Sequence, residues 1–196
     1  MDPPLNFHDV LLNSYENNPS ALENHGFKYD TDLSNHNQQI YFNPTQNRLL
    51  YSVAGTHNTA DVGTDIYMGL GNLKNTQRYK EANDTLAKAK DKYNPKKTVI
   101  VGSSLGGSIA SKIGKREDDI FTYNKFSHIG ERLIPNEKAY RASGDLVSIF
   151  NPKSNTKTIS AATKILPIYL PTYSGVIRNT TEQHKLKNLK NQNIYI

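Results

Sequence analysis

The sequence predicts an α/β fold with a compact, mostly parallel central sheet and helices on both faces. Two observations predict it. Short apolar, β-branched runs alternate along the chain with stretches of helical periodicity, and a Gly-x-Ser-x-Gly motif joins one such run to a helix. The chain has 196 residues and a mass of 22.0 kDa, which suits one domain able to bury a continuous core.

The first strong strand signal covers residues 47–54, and the preceding segment 40–44 is its expected hairpin partner. From Thr76 to Tyr93 apolar residues recur every three or four positions, which predicts one face of a helix. Pro95 should end this helix. The segment before residue 40 suggests a helix followed by loops.

The central part of the chain continues this alternation. Residues 98–101 predict a strand, 108–114 a helix, and 119–123 and 138–143 two further strands. Polar loops follow the last two strands. Because ligands of open α/β sheets bind at the carboxyl ends of the strands, we expect the functional site at this edge.

The motif at residues 102–106 has the layout of a nucleophile elbow. A strand enters a sharp turn, Ser104 stands at its apex, and a helix follows at once. In such a turn the serine takes a strained conformation, and the next backbone amide, that of Leu105, faces a developing oxyanion. The motif therefore predicts that Ser104 is a nucleophile.

A serine nucleophile needs a histidine to take its proton and a carboxylate to orient that histidine. In the chain order Ser, acid, His, the best acid is Asp145, which follows a predicted strand, whereas Asp118 and Asp119 come too soon after the elbow helix. His184 is the only histidine after Asp145. The alternatives are that His184 is an exposed residue of a lysine-rich tail, or that His128 is the base in a different chain order.

Four blocks of sequence, spanning roughly residues 47–189, resemble the class 3 lipases, the family of the fungal triacylglycerol lipases. They occur in the order typical of that family: residues 52–56 with 61–66, residues 79–107, residues 121–124 with 140–147, and His184. The resemblance implies the α/β-hydrolase fold. With the chain length, it predicts a single domain over 1–196, in which an N-terminal helix and loop extension, 1–45, precedes a catalytic core, 46–196.

Carried over position by position, the resemblance implies Ser104 as nucleophile, Asp145 as orienting acid and His184 as base. It further implies that Thr56 and Leu105 line the oxyanion hole. The chain departs from the family pattern at three positions beside these residues, where the family usually has histidine, arginine and tryptophan: Ser103, Ala54 and Val62. The segment 67–77 is either a hydrophobic gate, with Met68, Leu70 and Leu73 on its inner face, or a plain connecting loop.

The implied activity is hydrolysis of carboxylic esters of lipids, as a lipase, phospholipase or esterase, with no metal or cofactor. The alternative is a catalytically inert hydrolase-fold protein with a structural or membrane-contacting role. A net charge of +6 suits a solvated basic surface or peripheral contact with an anionic membrane. A nucleic-acid partner is not expected, since no compact basic and aromatic stripe exists. The sequence does not predict the oligomeric state.

The chain contains no cysteine, which excludes disulfides, a thiolate nucleophile and cysteine-ligated zinc. The N-terminus lacks the pattern of a signal peptide, and no apolar run is long enough to span a membrane. We therefore expect a protein that is cytoplasmic at synthesis. The Asn- and Lys-rich composition is also compatible with association with a virus particle.

Overall fold

A seven-stranded sheet forms the centre of the computed structural model, which describes residues 3–16, 18–56, 70–127, 134–143, 156–159 and 185–196. Its strands lie side by side in chain order: β1 Lys28–Tyr29, β2 Gln38–Asn43, β3 Arg48–Val53, β4 Lys97–Ser103, β5 Asp119–Tyr123, β6 Glu137–Ala142 and β7 Thr156–Ile159. The pairs β1–β2 and β2–β3 are antiparallel, and every pair from β3 to β7 is parallel. The predicted mostly parallel sheet and its opening hairpin are therefore confirmed.

The described helices are α1 Phe7–Glu16, α2 Gln77–Tyr93 and α3 Ser104–Ile113, with short 3-10 helices at Glu23–His25, Leu70–Asn75 and Leu186–Asn188. The predicted bounds of α2 are confirmed: Thr76 caps its N-terminus by accepting a hydrogen bond from the Tyr79 N–H, and Asn94 ends it in the left-handed conformation. Helix α3 begins four residues before the predicted start at residue 108. Its first turn contains Gly106 and Gly107, which have low helix propensity and no apolar side chain, so apolar periodicity does not predict that turn.

The helices cover both faces of the sheet, as predicted. Strands β3, β4 and β5 lie side by side in chain order, so the connections β3–α2–β4 and β4–α3–β5 run across the sheet in the same direction. Because such crossovers are right-handed, α2 and α3 lie on the same face. There Leu86 and Ile109 pack with Leu49 and Ile100 in one apolar cluster. On the opposite face, α1 packs through Phe7, Val10 and Leu11 against residues that include Leu50, Val99 and Phe121.

The two ends of the described chain pair with each other on the α1 face. The Phe7 N–H donates to the Ile194 carbonyl at 2.9 Å, and the Ile196 N–H donates to the Leu5 carbonyl at 3.0 Å. Leu189 is fully buried in the same apolar cluster as α1. The segment from residue 185 is thereby anchored to α1 and to the sheet.

A buried polar cluster lies beside α3. The Lys125 ammonium is 2.7 Å from Glu137 Oε1 and donates to Ser111 Oγ at 2.8 Å, and Ser111 Oγ donates to Glu137 Oε2 at 2.8 Å. Thr122 Oγ1 also donates to Glu137 Oε1. The Lys125 and Glu137 side chains are at most 1% exposed, so this pair is held entirely by its protein partners. Among the helices described, none is long and apolar enough to cross a membrane.

Candidate active site

Ser104 stands at the turn between β4 and α3 with a φ of 52°, in the left-handed region. Within the described part of the chain, the other non-glycine residues with positive φ are all asparagines, the residue type that best tolerates this conformation: Asn47, Asn94 and Asn124. A serine in the same conformation is strained, and such strain is typical of functional turns. The elbow predicted from the motif is therefore present in the backbone.

The Ser104 side chain is buried and has no hydrogen-bond partner among the described residues. Most buried hydroxyls are paired, so an orphaned one at a strained turn calls for an explanation. Ser104 is only 4% exposed. A hydroxyl in this environment is free to form a hydrogen bond with a catalytic base or to attack a substrate.

The amide of Leu105 belongs to the first turn of α3, where backbone N–H groups have no partner within the helix. Ser103 occupies the N-cap position, but its side chain makes no capping hydrogen bond. The N-terminal end of the helix dipole also favours negative charge. The start of α3 therefore offers N–H donors that have no partner within the helix, beside Ser104, as an oxyanion site requires.

The residues Ala54, Gly55 and Thr56, which we call the 54–56 loop, follow β3 and lie beside the elbow. A Cβ atom on Gly55 would lie 2.9 Å from the Ser103 carbonyl oxygen and 3.2 Å from Ser104 Cβ, so only glycine allows this approach. The Thr56 hydroxyl is buried and has no hydrogen-bond partner among the described residues. The structure thus brings Thr56, Ser104 and Leu105 to one edge of the sheet.

Two residues that the sequence reasoning missed hold this loop. Tyr15, from α1, shares a 2.7 Å hydrogen bond with Ser103 Oγ, and its hydroxyl oxygen accepts a 2.9 Å hydrogen bond from the Gly55 N–H. Arg78, from α2, donates to the Ala54 carbonyl at 2.6 Å and to the Gly55 carbonyl at 3.3 Å. Arg78 lies in the first turn of α2, where a cation is unfavourable because it opposes the helix dipole. This unfavourable placement is a weak sequence signal that Arg78 has another role.

Burial shifts the pKa of both residues. It raises the pKa of Tyr15, although the hydrogen bonds with Ser103 and Gly55 and the charge of Arg78 act in the opposite direction. Burial also lowers the pKa of Arg78, but a guanidinium remains charged at any physiological pH. Tyr15 is therefore neutral and Arg78 cationic, as their hydrogen bonds require.

The remaining predicted site residues, Asp145 and His184, lie outside the described residues, as does the alternative base His128. Residues 67–69 of the proposed gate segment also lie outside them. Leu73, from the same segment, is buried in the apolar cluster with α2. Among the described residues there is no cluster of side chains that could hold a metal ion.

The same arrangement of sheet and helices occurs in solved fungal lipase structures. The Lip2 lipase from Yarrowia lipolytica superposes with a TM-score of 0.51 at 11% identity, covering 79% of this chain and 76% of the lipase. The native Rhizomucor miehei lipase in its propeptide complex gives 0.51 at 12% identity, covering 80% and 67%. The chain has the α/β-hydrolase fold.

A triacylglycerol lipase described as having a serine protease triad at its catalytic centre is also an α/β-hydrolase neighbour, with a TM-score of 0.51. Its identity to this chain is 10%, and the likeness covers 80% of this chain and 78% of the lipase. At such identities the likeness is one of fold. No family model and no curated protein sequence matches this chain.

Proposed function

We propose that this α/β-hydrolase chain is a serine hydrolase that cleaves carboxylic esters of lipids, as a lipase, phospholipase or esterase, with Ser104 as its nucleophile. The observation that carries the proposal is the strained Ser104 at the β4–α3 turn, whose hydroxyl has no hydrogen-bond partner in the described part of the chain and lies beside the N–H groups of Leu105 and the 54–56 loop. Because strain and an orphaned polar group both cost stability, a catalytic role explains them together.

Asp145 is the proposed orienting acid. The chain reaches Ser143 at the carboxyl end of β6, where the Ser143 N–H donates to the Ile159 carbonyl at 2.8 Å. Just before it, the Ala142 N–H donates to Asn124 Oδ1 at 2.7 Å, which ties this end of β6 to the end of β5. Asp145 follows Ser143 by two residues. These contacts therefore support a position for its carboxylate at the edge of the sheet where Ser104 lies.

His184 is the proposed base. The next residue, Lys185, accepts a 3.3 Å hydrogen bond through its carbonyl from the Tyr123 hydroxyl. Tyr123 is the last residue of β5 and the register partner of Ser103 in β4. The start of the C-terminal segment is thus tied to the strand next to the elbow, which supports a role for the preceding histidine.

In the proposed reaction His184 takes the Ser104 proton as Ser104 Oγ attacks the ester carbonyl carbon, and Asp145 stabilises the resulting imidazolium. The N–H groups of Leu105 and Thr56 hold the oxyanion of the tetrahedral intermediate. The proton passes from His184 to the alcohol oxygen as the ester bond breaks. Water then attacks the acyl-enzyme by the same steps, and the acid leaves with Ser104 restored.

The lipid class of the substrate is proposed from the names of the structural neighbours, which are lipases and a triacylglycerol lipase. The net charge of +6 supports peripheral contact with an anionic lipid surface.

Hydrolysis of p-nitrophenyl butyrate and labelling by a fluorophosphonate probe test this function. Wild type should show both, and Ser104→Ala should lose both because the nucleophile is gone. Ser52→Ala is the matched control: among the described residues the Ser52 hydroxyl is also buried without a hydrogen-bond partner, but Ser52 lies within β3, paired with Val101, and not at the turn that carries the nucleophile. If wild type shows neither turnover nor labelling but binds anionic liposomes, the inert membrane-contacting alternative replaces the enzyme.

A further inference from the structure

The two peptide units around Gly55 have almost all their polar groups held by protein side chains. In the first unit, Arg78 Nη2 binds the Ala54 carbonyl and Tyr15 Oη binds the Gly55 N–H. In the second, Arg78 Nη1 binds the Gly55 carbonyl. The fourth group, the Thr56 N–H, has no partner among the described residues. It is also the group proposed to bind the oxyanion.

A peptide unit is planar and trans, so its carbonyl and its N–H point in opposite directions. Among the described residues there is no cis peptide bond. By fixing the Gly55 carbonyl, Arg78 therefore also fixes the direction of the Thr56 N–H, which must point away from the guanidinium. A bidentate guanidinium restricts both peptide units more tightly than a single donor would.

Tyr15 connects the same loop to the elbow. Its hydroxyl lies between the Gly55 N–H, at 2.9 Å, and Ser103 Oγ, at 2.7 Å. Ser103 is the residue directly before Ser104, so one hydroxyl joins the 54–56 loop to the backbone that carries the nucleophile. It also occupies the space beside Gly55, where a Cβ atom would lie 2.2 Å from Tyr15 Oη.

We propose that Tyr15 and Arg78 are positioning residues, which together set the direction of the Thr56 N–H relative to Ser104 Oγ. This inference rests on the proposed hydrolase function. It assigns a role to α1, which would otherwise only cover the sheet, because Tyr15 is the residue through which that helix reaches the site. Neither residue is expected to touch the substrate.

The test uses Tyr15→Phe and Arg78→Met in the full chain, with p-nitrophenyl butyrate as substrate and an alkyl boronic acid as a mimic of the tetrahedral intermediate. Misplacing an oxyanion donor should lower kcat by about 100-fold, because errors of about 1 Å cost that much. The KM should stay within roughly twofold, since substrate binding is not disturbed. Affinity for the boronic acid should fall by about the same factor as kcat.

Matched controls separate positioning from stability. Tyr41→Phe removes another buried hydroxyl that binds α1, through Asn13, but does not touch the 54–56 loop. Lys80→Met removes an exposed cation from α2, the helix that carries Arg78. Both controls should keep kcat and boronic acid affinity, even where Tyr41→Phe lowers Tm.

If Tyr15→Phe and Arg78→Met lower Tm but leave kcat and boronic acid affinity at the level of these controls, the positioning role is wrong while the hydrolase function stands. A wild type with no turnover and no fluorophosphonate labelling overturns the function itself. Should Arg78→Met fail to fold, Arg78→Lys carries the same test, because an ammonium keeps the charge but lacks the guanidinium fork. A kcat for Arg78→Lys equal to that of wild type would then refute the role of the fork.

Discussion

Gly106 in the first turn of α3 lies directly against the carbonyl oxygen of Val53, the last residue of β3. A Cβ atom on Gly106 would lie 2.2 Å from that oxygen, closer than any side chain can approach. The elbow and the strand that leads into the 54–56 loop are therefore packed backbone to backbone. Because neither can shift without the other, the fold fixes the separation between the elbow and the end of β3.

Replacing Ser104 with glycine should stabilise the protein while it removes activity. A left-handed serine costs about 1–2 kcal/mol, whereas the added freedom of glycine in the unfolded chain costs about 0.5–1 kcal/mol. The free energy of unfolding of Ser104→Gly, from urea titration, should thus rise by up to about 1.5 kcal/mol. Ser108→Gly, in the regular part of α3, should instead be destabilised, by about 1 kcal/mol or more. A Ser104→Gly variant less stable than wild type would show that the turn is not strained.

The hydroxyl of Thr56 should contribute to oxyanion stabilisation beside the backbone amide. Thr56→Val keeps the shape and removes the hydroxyl, so kcat for p-nitrophenyl butyrate should fall by about 100-fold, the usual cost of losing one donor. Thr56→Ser keeps the hydroxyl and should retain most of the activity. Equal kcat values for Thr56→Val and wild type would mean that only the backbone amides of Thr56 and Leu105 stabilise the oxyanion.

Breaking the buried pair of Lys125 and Glu137 from one side should cost much of the stability. Lys125→Met leaves the Glu137 carboxylate buried without its cation, and such losses cost about 3–5 kcal/mol. The double variant Lys125→Met with Glu137→Leu removes both charges and should recover most of that loss. Guanidinium unfolding of both variants measures the difference. A free energy of unfolding of Lys125→Met within about 1 kcal/mol of the wild-type value would contradict the prediction.

The carboxylate of Asp30 should make stability depend on pH in acid. Burial acts to raise its pKa, but hydrogen bonds from Lys92 at 2.8 Å, Tyr93 at 2.7 Å and two backbone N–H groups outweigh it and lower the pKa. The stabilisation is therefore complete above the unfolded pKa of about 3.9 and is lost as the pH falls through the lower folded value. The Tm difference between wild type and Asp30→Asn should stay constant from about pH 5 to 7 and shrink below about pH 4.

The control for this prediction is Asp84→Asn, at an exposed position on α2. Its Tm difference from wild type should stay small and show no comparable change below pH 4. A wild-type advantage over Asp30→Asn that persists undiminished at pH 2 would mean that the charge of Asp30 does not stabilise the fold.

The elements with a strong local pattern could be predicted from the sequence. The strand at β5, the hairpin of β2 with β3 and the bounds of α2 follow from alternation, helical periodicity and capping. The two-residue strand β1 was not predicted, and neither was β7, because segments so short have no pattern of their own and exist only through pairing. The elbow could be predicted since its glycines and serine are contiguous.

The support around the elbow could not be predicted in the same way. Tyr15 and Arg78 reach the 54–56 loop from helices distant in sequence; the unfavourable cation in the first turn of α2 is a weak signal for Arg78, and no local pattern indicates the contact of Tyr15. The role of Leu105 follows from the elbow motif and that of Thr56 from a family resemblance; Leu105 follows Ser104 directly, and the 54–56 loop lies beside the elbow. Asp145 and His184, which lie outside the described residues, stay predictions.

The pairing of residues 5–7 with residues 194–196 has a consequence for the order of folding. Strands that are consecutive in the chain are also neighbours in the sheet, so they can pair one after another. The pairing of the two chain ends instead closes a loop that contains the whole sheet. Contacts of such sequence separation carry the largest closure entropy and form late. Helix α1 begins at this pairing and carries Tyr15, so we expect the final adjustment of the 54–56 loop in the last stage of folding.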